Sequence, residues 1–345
     1  MPDYSDKYCS SVKDIMNWLG GDFEANQELL QSWKALVESD INNPESDLYD
    51  TTNGVFTNTI NIPVIFHLIH MGEVVGQGMN LEYSFVPNLL NKINQKISSL
   101  GIRLVPARVD ENNTLLTEPG LERINGSTLN RPYYDSNSIS LDLTVYNYVT
   151  HGVAHTAESS TGSIPGILQD TIKENYHWDV NSYFNIYIVN SLNDKPIIEN
   201  QRLLGSSTMP FIVESEAQKN LFGMVMPVKS LGISETIPLL FDYYVGQIRP
   251  LDAISYDCKS VSDYFNFVNS LDGNSFIHNL LHCFGLIDIH FPAIDFGCNV
   301  GKSGELFNDI RLGGSIYNVN NSWEKRFVED VEQTNSCELE MADLS

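Results

Sequence analysis

Positive charge is what this chain has least of. Twenty Lys and Arg stand against 44 Asp and Glu, a formal net charge of −24. Nucleic acids and anionic membrane surfaces are held by clustered basic side chains. The balance therefore argues against both as partners; it either favours cationic proteins or peptides or serves only to keep the protein soluble. Cysteine is scarce as well: Cys9, Cys258, Cys283, Cys298 and Cys337 are too few and too scattered for a disulfide framework, and they follow no zinc-binding spacing. Long hydrophobic runs are missing, since no stretch approaches the ~20 apolar residues of a membrane span. Met1 to Lys7 is polar and no apolar leader core follows. The expectation is an intracellular protein made without classical secretion, in which the sequons at Asn112, Asn125 and Asn320 are chance matches. No internal repeat or low-complexity tract is present.

What is present is enough apolar residue for a full core: 345 residues, 42% of them hydrophobic, suit one large domain with an appendage. The chain divides near residue 55. Ile15, Trp18 and Leu19 share one face before Gly20-Gly21, and Leu29, Leu30, Trp33, Leu36 and Val37 repeat the pattern, which predicts a helical hairpin within 1–45. Residues 46–58 read as a linker, and 59–345 as the main domain. Within it, Ile62 to Ile69 and Ile102 to Val109 read as strands. Val86 to Leu100 reads as a helix, with Leu89, Leu90, Ile93, Ile97 and Leu100 at helical spacing. Tyr183 to Val189 is a further strand and Phe276 to Leu286 a buried helix. The expected fold class is α/β (α+β), a twisted mixed sheet backed by helices. Thr114 to Gly166 and Glu214 to Asp252 read as loop-rich.

The stretch with most chemical content is His278-Asn279-Leu280-Leu281-His282, followed by Gly285 and Asp288. Two histidines one helical turn apart can bind zinc from one face, and in the motif H-E-x-x-H the intervening glutamate takes a proton from metal-bound water. Position 279 holds asparagine, which cannot. With eight histidines in the chain, an i,i+4 pair is weak evidence by itself, and His151 and His155 form a second one. That pair lacks an acid and a following glycine and reads as loop or structural. His67, His70 and His177 read as strand or loop residues. From spacing alone, His278 and His282 are either metal ligands or satisfied core residues.

Ser275 to Asp288 as a whole resembles the metzincin zinc peptidases, whose motif continues H-E-x-x-H-x-x-G-x-x-H. Ile62 to His70 resembles the first strand of one metzincin branch, the pappalysins (the pregnancy-associated plasma protein A type). Asn91 to Ile97 resembles the helix after it, and Trp178 to Val189 and Leu204 to Pro210 resemble two later strands. The likeness covers roughly residues 58 to 330. It implies a metzincin-like catalytic domain with zinc as cofactor, held by His278, His282 and, as third ligand, Asp288, with His290 as fallback. Gly285 would bend the chain out of the active-site helix. The family's methionine turn has its nearest counterpart in Ser315 to Val319, with Tyr317 where methionine would sit. In secreted relatives a pro-segment cysteine can block the zinc, a role open to Cys9. Relatives also form disulfides in the region of Cys298 and Cys337.

Loss of the glutamate, the third histidine and the methionine together points to a relaxed catalytic site. Asn279 could hold a metal-bound water but not relay its proton, and losing a positioned general base costs ~10²–10⁴-fold. Asp288 freed from ligation, or Asp295, would be the substitute acids. The leading expectation is a catalytically impaired pseudo-metallopeptidase that serves as a binding or structural component. The alternatives are an active zinc metalloendopeptidase, and a structural protein of a virion or other assembly that docks through the N-terminal helices.

Overall fold

The computed structural model describes residues 59–134, 143–159, 162–194, 202–210, 216–232 and 273–285, together with Ser32, Ala35, Tyr49–Asp50 and Val55–Phe56. Apart from Ser32 and Ala35, the hairpin expected within 1–45 lies outside them. So do Cys9, Asp288, His290, Asp295, Cys298 and Tyr317. Inside the segment expected as a linker, Tyr49–Asp50 pairs antiparallel with Val55–Phe56.

The elements that position the site are, in chain order, β1 (Ile60–His70), α1 (Phe85–Lys96), β2 (Ile102–Pro106), β3 (Leu121–Asn125), α2 (Gln169–Tyr176), β4 (Phe184–Val189), β5 (Ser206–Ser207), β6 (Met224–Pro227) and α3 (Asn274–Cys283). β1 is the axis of a mixed α/β arrangement. Along one edge its first half pairs parallel with β2, Ile60 to Val64 against Ile102 to Pro106. Its second half pairs parallel with β3, Phe66 to His70 against Leu121 to Asn125. Along the other edge it pairs parallel with β4, which pairs parallel with β6, and β5 closes the order antiparallel to β6. Parallel neighbours need crossovers, and α1 supplies the one between β1 and β2.

A strand covered on both faces reads as a continuous apolar run rather than an alternation, and Val64 to His70 is buried throughout. Successive side chains still go to opposite faces. Val64, Phe66 and Leu68 join Ile186, Ile188, Met224 and Met226 in one core, covered by Phe85, Val86, Leu89, Leu90 and Ile93 of α1 and by Phe276, Leu280 and Cys283 of α3. Ile69, Tyr187, Val189 and Val225 face the opposite way. There they pack on Tyr148, on Ile172 of α2, and on Val153, Ile167, Leu192 and Leu203 from a small four-stranded sheet. Among the described residues no helix is long and apolar enough to cross a membrane.

The expected elements shift at their ends. α1 stops as α-helix at Lys96 and continues as a 3-10 turn, Ser98–Leu100, before Gly101 at φ 67°. Two regions read as loop from the sequence carry sheet strands: β3 lies within Thr114 to Gly166, and β6 within Glu214 to Asp252.

Candidate metal-binding helix and its surroundings

α3 divides its surface by residue type. At 100° per residue, Phe276, Leu280 and Cys283 fall on one stripe, the one buried against the sheet. His278 and His282 fall well round from it, and Ser275 and Asn279 lie between the two. The helix starts after Gly273 (φ 78°) without a side-chain cap. It ends at Cys283 with Phe284 as its cap, and Gly285 follows at φ 85°, its N–H donating to His282 O at 2.8 Å. A side chain is strained at such a φ, so glycine is the residue that lets the chain leave the helix here.

The two histidines converge. His278 Nε2 and His282 Nε2 lie 3.0 Å apart, within hydrogen-bonding distance of each other, with their rings at 82°. His282 is 2% exposed, and His278 is part-buried. Two nitrogens bound to tetrahedral zinc at ~2.0–2.1 Å sit about 3.3 Å apart, so the pair fits two corners of such a site. Among the described residues no group of three or more His, Cys, Asp or Glu side chains gathers in a metal-holding cluster. A third ligand would come from outside the described residues, where Asp288 lies.

Asn279 is not an idle replacement. It is 1% exposed. Its Oδ1 accepts from the Ser207 hydroxyl of β5 at 2.7 Å, and its Nδ2 donates to Ser275 O at 2.9 Å, one turn back. A backbone carbonyl only accepts, so the Ser275 bond fixes which end of the amide faces Ser207. The Ser275 hydroxyl in turn donates to Leu204 O at 3.2 Å, just before β5. The chain passes the amide closely at Gly205: a Cβ there would lie 2.6 Å from Asn279 Cγ and 2.8 Å from Met226 Sδ, and closer still to Asn279 Nδ2. Glycine at 205 is what lets the strand and the amide coexist.

The other histidines occupy separate places. His151 closes the short helix Tyr148–His151, and its Nδ1 accepts from Asn147 N–H at 3.1 Å. His155 is buried, with Nδ1 3.3 Å from Asp194 Oδ1. His70 Nδ1 accepts from Gly72 N–H at 3.1 Å. His177 Nδ1 donates to the Lys173 and Glu174 carbonyls at 3.2 and 3.1 Å.

His67, read from sequence as a plain strand residue, is the centre of a buried polar network. It is fully buried, with Nδ1 2.7 Å from Glu122 Oε2 of β3 and Nε2 2.8 Å from Asn185 Oδ1 of β4. Asn185 Oδ1 also accepts from Trp178 N–H at 2.9 Å, and its Nδ2 donates to Trp178 O at 3.0 Å, which fixes the amide. Nε2 of His67 is therefore the protonated nitrogen on that side. Trp178 Nε1 donates to Glu122 at 3.2 Å, and Tyr187 stacks on the imidazole at 4.7 Å. Burial, and secondarily the Glu122 charge, pushes the Tyr187 hydroxyl above its ordinary range. That hydroxyl has no hydrogen-bond partner among the described residues. The only sequence signal for this network is a histidine inside an apolar strand run.

No family model and no curated protein matches the chain. Among solved structures it is similar to mature mirolysin of Tannerella forsythia in complex with a cleaved peptide, with 17% identity over 68% of this chain and 66% of that one, at a TM-score of 0.37. It is also similar to a Tannerella forsythia promirolysin mutant, with 14% identity over 65% of this chain and 60% of that one, at a TM-score of 0.38. A third similar structure is mirolysin in complex with a small compound, at 17% identity, 71% and 69% coverage, and a TM-score of 0.38. The chain thus spans less than two thirds of the length of the first two.

Proposed function

We propose that this chain is a metzincin-like, catalytically impaired metallopeptidase domain: it holds zinc through His278 and His282, and it binds protein or peptide segments without cutting them. The observation that carries the proposal is the pairing of converged imidazoles, Nε2 to Nε2 at 3.0 Å, with a neighbouring amide that is bonded elsewhere at both its oxygen and its nitrogen. The donor set fits zinc, which is bound by imidazole nitrogen and carboxylate oxygen as well as by thiolate. Asp288 is the proposed third ligand. Bound zinc would supply Lewis acidity to a carbonyl or water oxygen.

What this chain's own residues add is binding, not proton transfer. An amide has no proton-accepting chemistry near neutral pH, and the Asn279 amide has its oxygen on Ser207 and its nitrogen on Ser275. Ser207 and Ser275 are neutral hydroxyls and offer no base in its stead. The net charge of −24 favours Lys- and Arg-rich segments as the bound chains.

Equilibrium dialysis of the full chain against zinc tests the metal half of the proposal. About one zinc per chain in the wild type, lost in His278→Ala and in His282→Ala, is the expected result. A wild type that retains no zinc would overturn it. For the binding half, a basic peptide library incubated with the zinc-loaded chain should be recovered bound and uncut. Release of fragments would overturn that half.

A further inference from the structure

We infer that Ser207 and Asn279 form a positioning clasp for the histidine pair, an inference that rests on the metal reading above. The clasp joins the edge of the sheet to the flank of α3. The Ser207 hydroxyl of β5 donates to Asn279 Oδ1 at 2.7 Å, Asn279 Nδ2 donates to Ser275 O at 2.9 Å, and Ser275 Oγ returns to Leu204 O at 3.2 Å. All three side chains are buried, at 5%, 1% and 7% exposure.

The geometry gives this arrangement a task. The apolar stripe of Phe276, Leu280 and Cys283 holds α3 on the sheet, but apolar contacts are non-directional and leave rotation about the helix axis weakly specified. Asn279 lies between that stripe and the histidine face. Two directional bonds tie α3 to the 204–207 segment against rotation, Ser207 Oγ to Asn279 Oδ1 and Ser275 Oγ to Leu204 O, while the Asn279–Ser275 bond lies within the helix and holds the amide in place. The magnitude matters. At the outer radius of a helix, ~5–6 Å, a turn of about 10° moves a side-chain atom by about 1 Å. Metal ligands must hold their distances to within roughly 0.2 Å. Both histidines ride on α3, so roll leaves their separation unchanged; what a few degrees of roll alters is where the pair stands relative to a ligand from outside the helix. Gly205 completes the device, because any larger residue would displace the amide. The position a catalytic glutamate would occupy thus serves the metal ligands from behind.

Cobalt(II) titration of the full chain, followed by its visible absorption, tests this. The variants are Ser207→Ala, which removes the donor, and Ser207→Thr, which keeps a hydroxyl. Ile124→Val, on the opposite face of the sheet, is the control for mild destabilisation. Loss of partners that orient metal ligands costs ~10–100-fold in metal affinity. Ser207→Ala should fall in that range with a changed cobalt spectrum, Ser207→Thr should recover most of the affinity, and Ile124→Val should bind as the wild type does. If the wild type binds cobalt and Ser207→Ala binds it equally well with the same spectrum, the clasp has no positioning role and the inference fails while the metal reading stands. If the wild type itself binds no cobalt, both fail.

Discussion

Replacing Gly205 by alanine should be among the costliest single-methyl additions in this protein. Gly205 is not among the glycines with positive φ, so backbone conformation plays no part and the effect is steric. The new Cβ would sit 2.6 Å from Asn279 Cγ and 2.8 Å from Met226 Sδ. Met226 is flexible but fully buried in the core. Asn279 is bonded at both ends of its amide and has nowhere to swing. Overpacking of this kind costs about 1–3 kcal/mol. If the amide is pushed off its partners, a buried polar group left unmatched adds about 1–3 kcal/mol. The sum, roughly 2–6 kcal/mol, corresponds at about 3 °C per kcal/mol to a Tm lower by about 6–18 °C for a large domain. Thermal unfolding followed by tryptophan fluorescence measures it. The same experiment in an Asn279→Ala background should show a smaller penalty for Gly205→Ala, with a coupling of at least about 1 kcal/mol, because the clash with the amide is gone and only the contact with the Met226 thioether remains. A Gly205→Ala protein within about 0.5 kcal/mol of the wild type would refute the tight approach of strand and amide.

Other outcomes follow from the opposite face of the sheet and from the surface. Tyr187→Phe deletes a buried hydroxyl that has no partner among the described residues and should leave stability unchanged or raise it by about 1 kcal/mol; a loss above about 1 kcal/mol in urea unfolding would reveal a partner. Asn185→Ala strips three hydrogen bonds from Trp178 and His67 and should cost about 3 kcal/mol or more, whereas a cost below about 1 kcal/mol would mean the network is not cooperative. The exposed Asp179 carboxylate accepts from the Ser182 hydroxyl, Asn181 N–H and Asn181 Nδ2, which holds its pKa below the ordinary carboxylate range. A lowered folded pKa contributes stability above the unfolded value that is lost as pH falls through the folded one. The stability gap between wild type and Asp179→Ala should therefore be full at neutral pH and close on acidification. A gap that stays constant into acid would contradict those bonds.

The sequence disclosed elements whose signal is local. β1 was legible because a strand covered on both faces is an unbroken apolar run, and α1 because Leu89, Leu90 and Ile93 repeat at helical spacing. β3 was hidden because Glu122 and Arg123 give it the look of a loop. Their charges are met by partners elsewhere in the chain: Glu122 by His67, Arg123 by Glu118 at 2.7 and 2.8 Å. β6 was hidden because four residues ending in proline carry no period, and only the parallel pairing with β4 makes them a strand. At the site, the i,i+4 spacing of His278 and His282 was visible in the sequence. The role of Asn279 was not, since Ser207 is 72 residues away. The same holds for His67, whose partners stand 55 and 118 residues off. Polar contacts across such distances leave no pattern in one sequence, whereas a helical turn does.

The central claim, a metal-holding domain without peptidase chemistry, is tested most directly by incubating a broad peptide mixture with purified wild-type chain and added zinc, alongside His282→Ala prepared identically. The expected result is no cleavage by either protein, because Asn279 relays no proton. Cleavage by the wild type that is absent from His282→Ala would contradict the claim and place a working base beside the histidine pair.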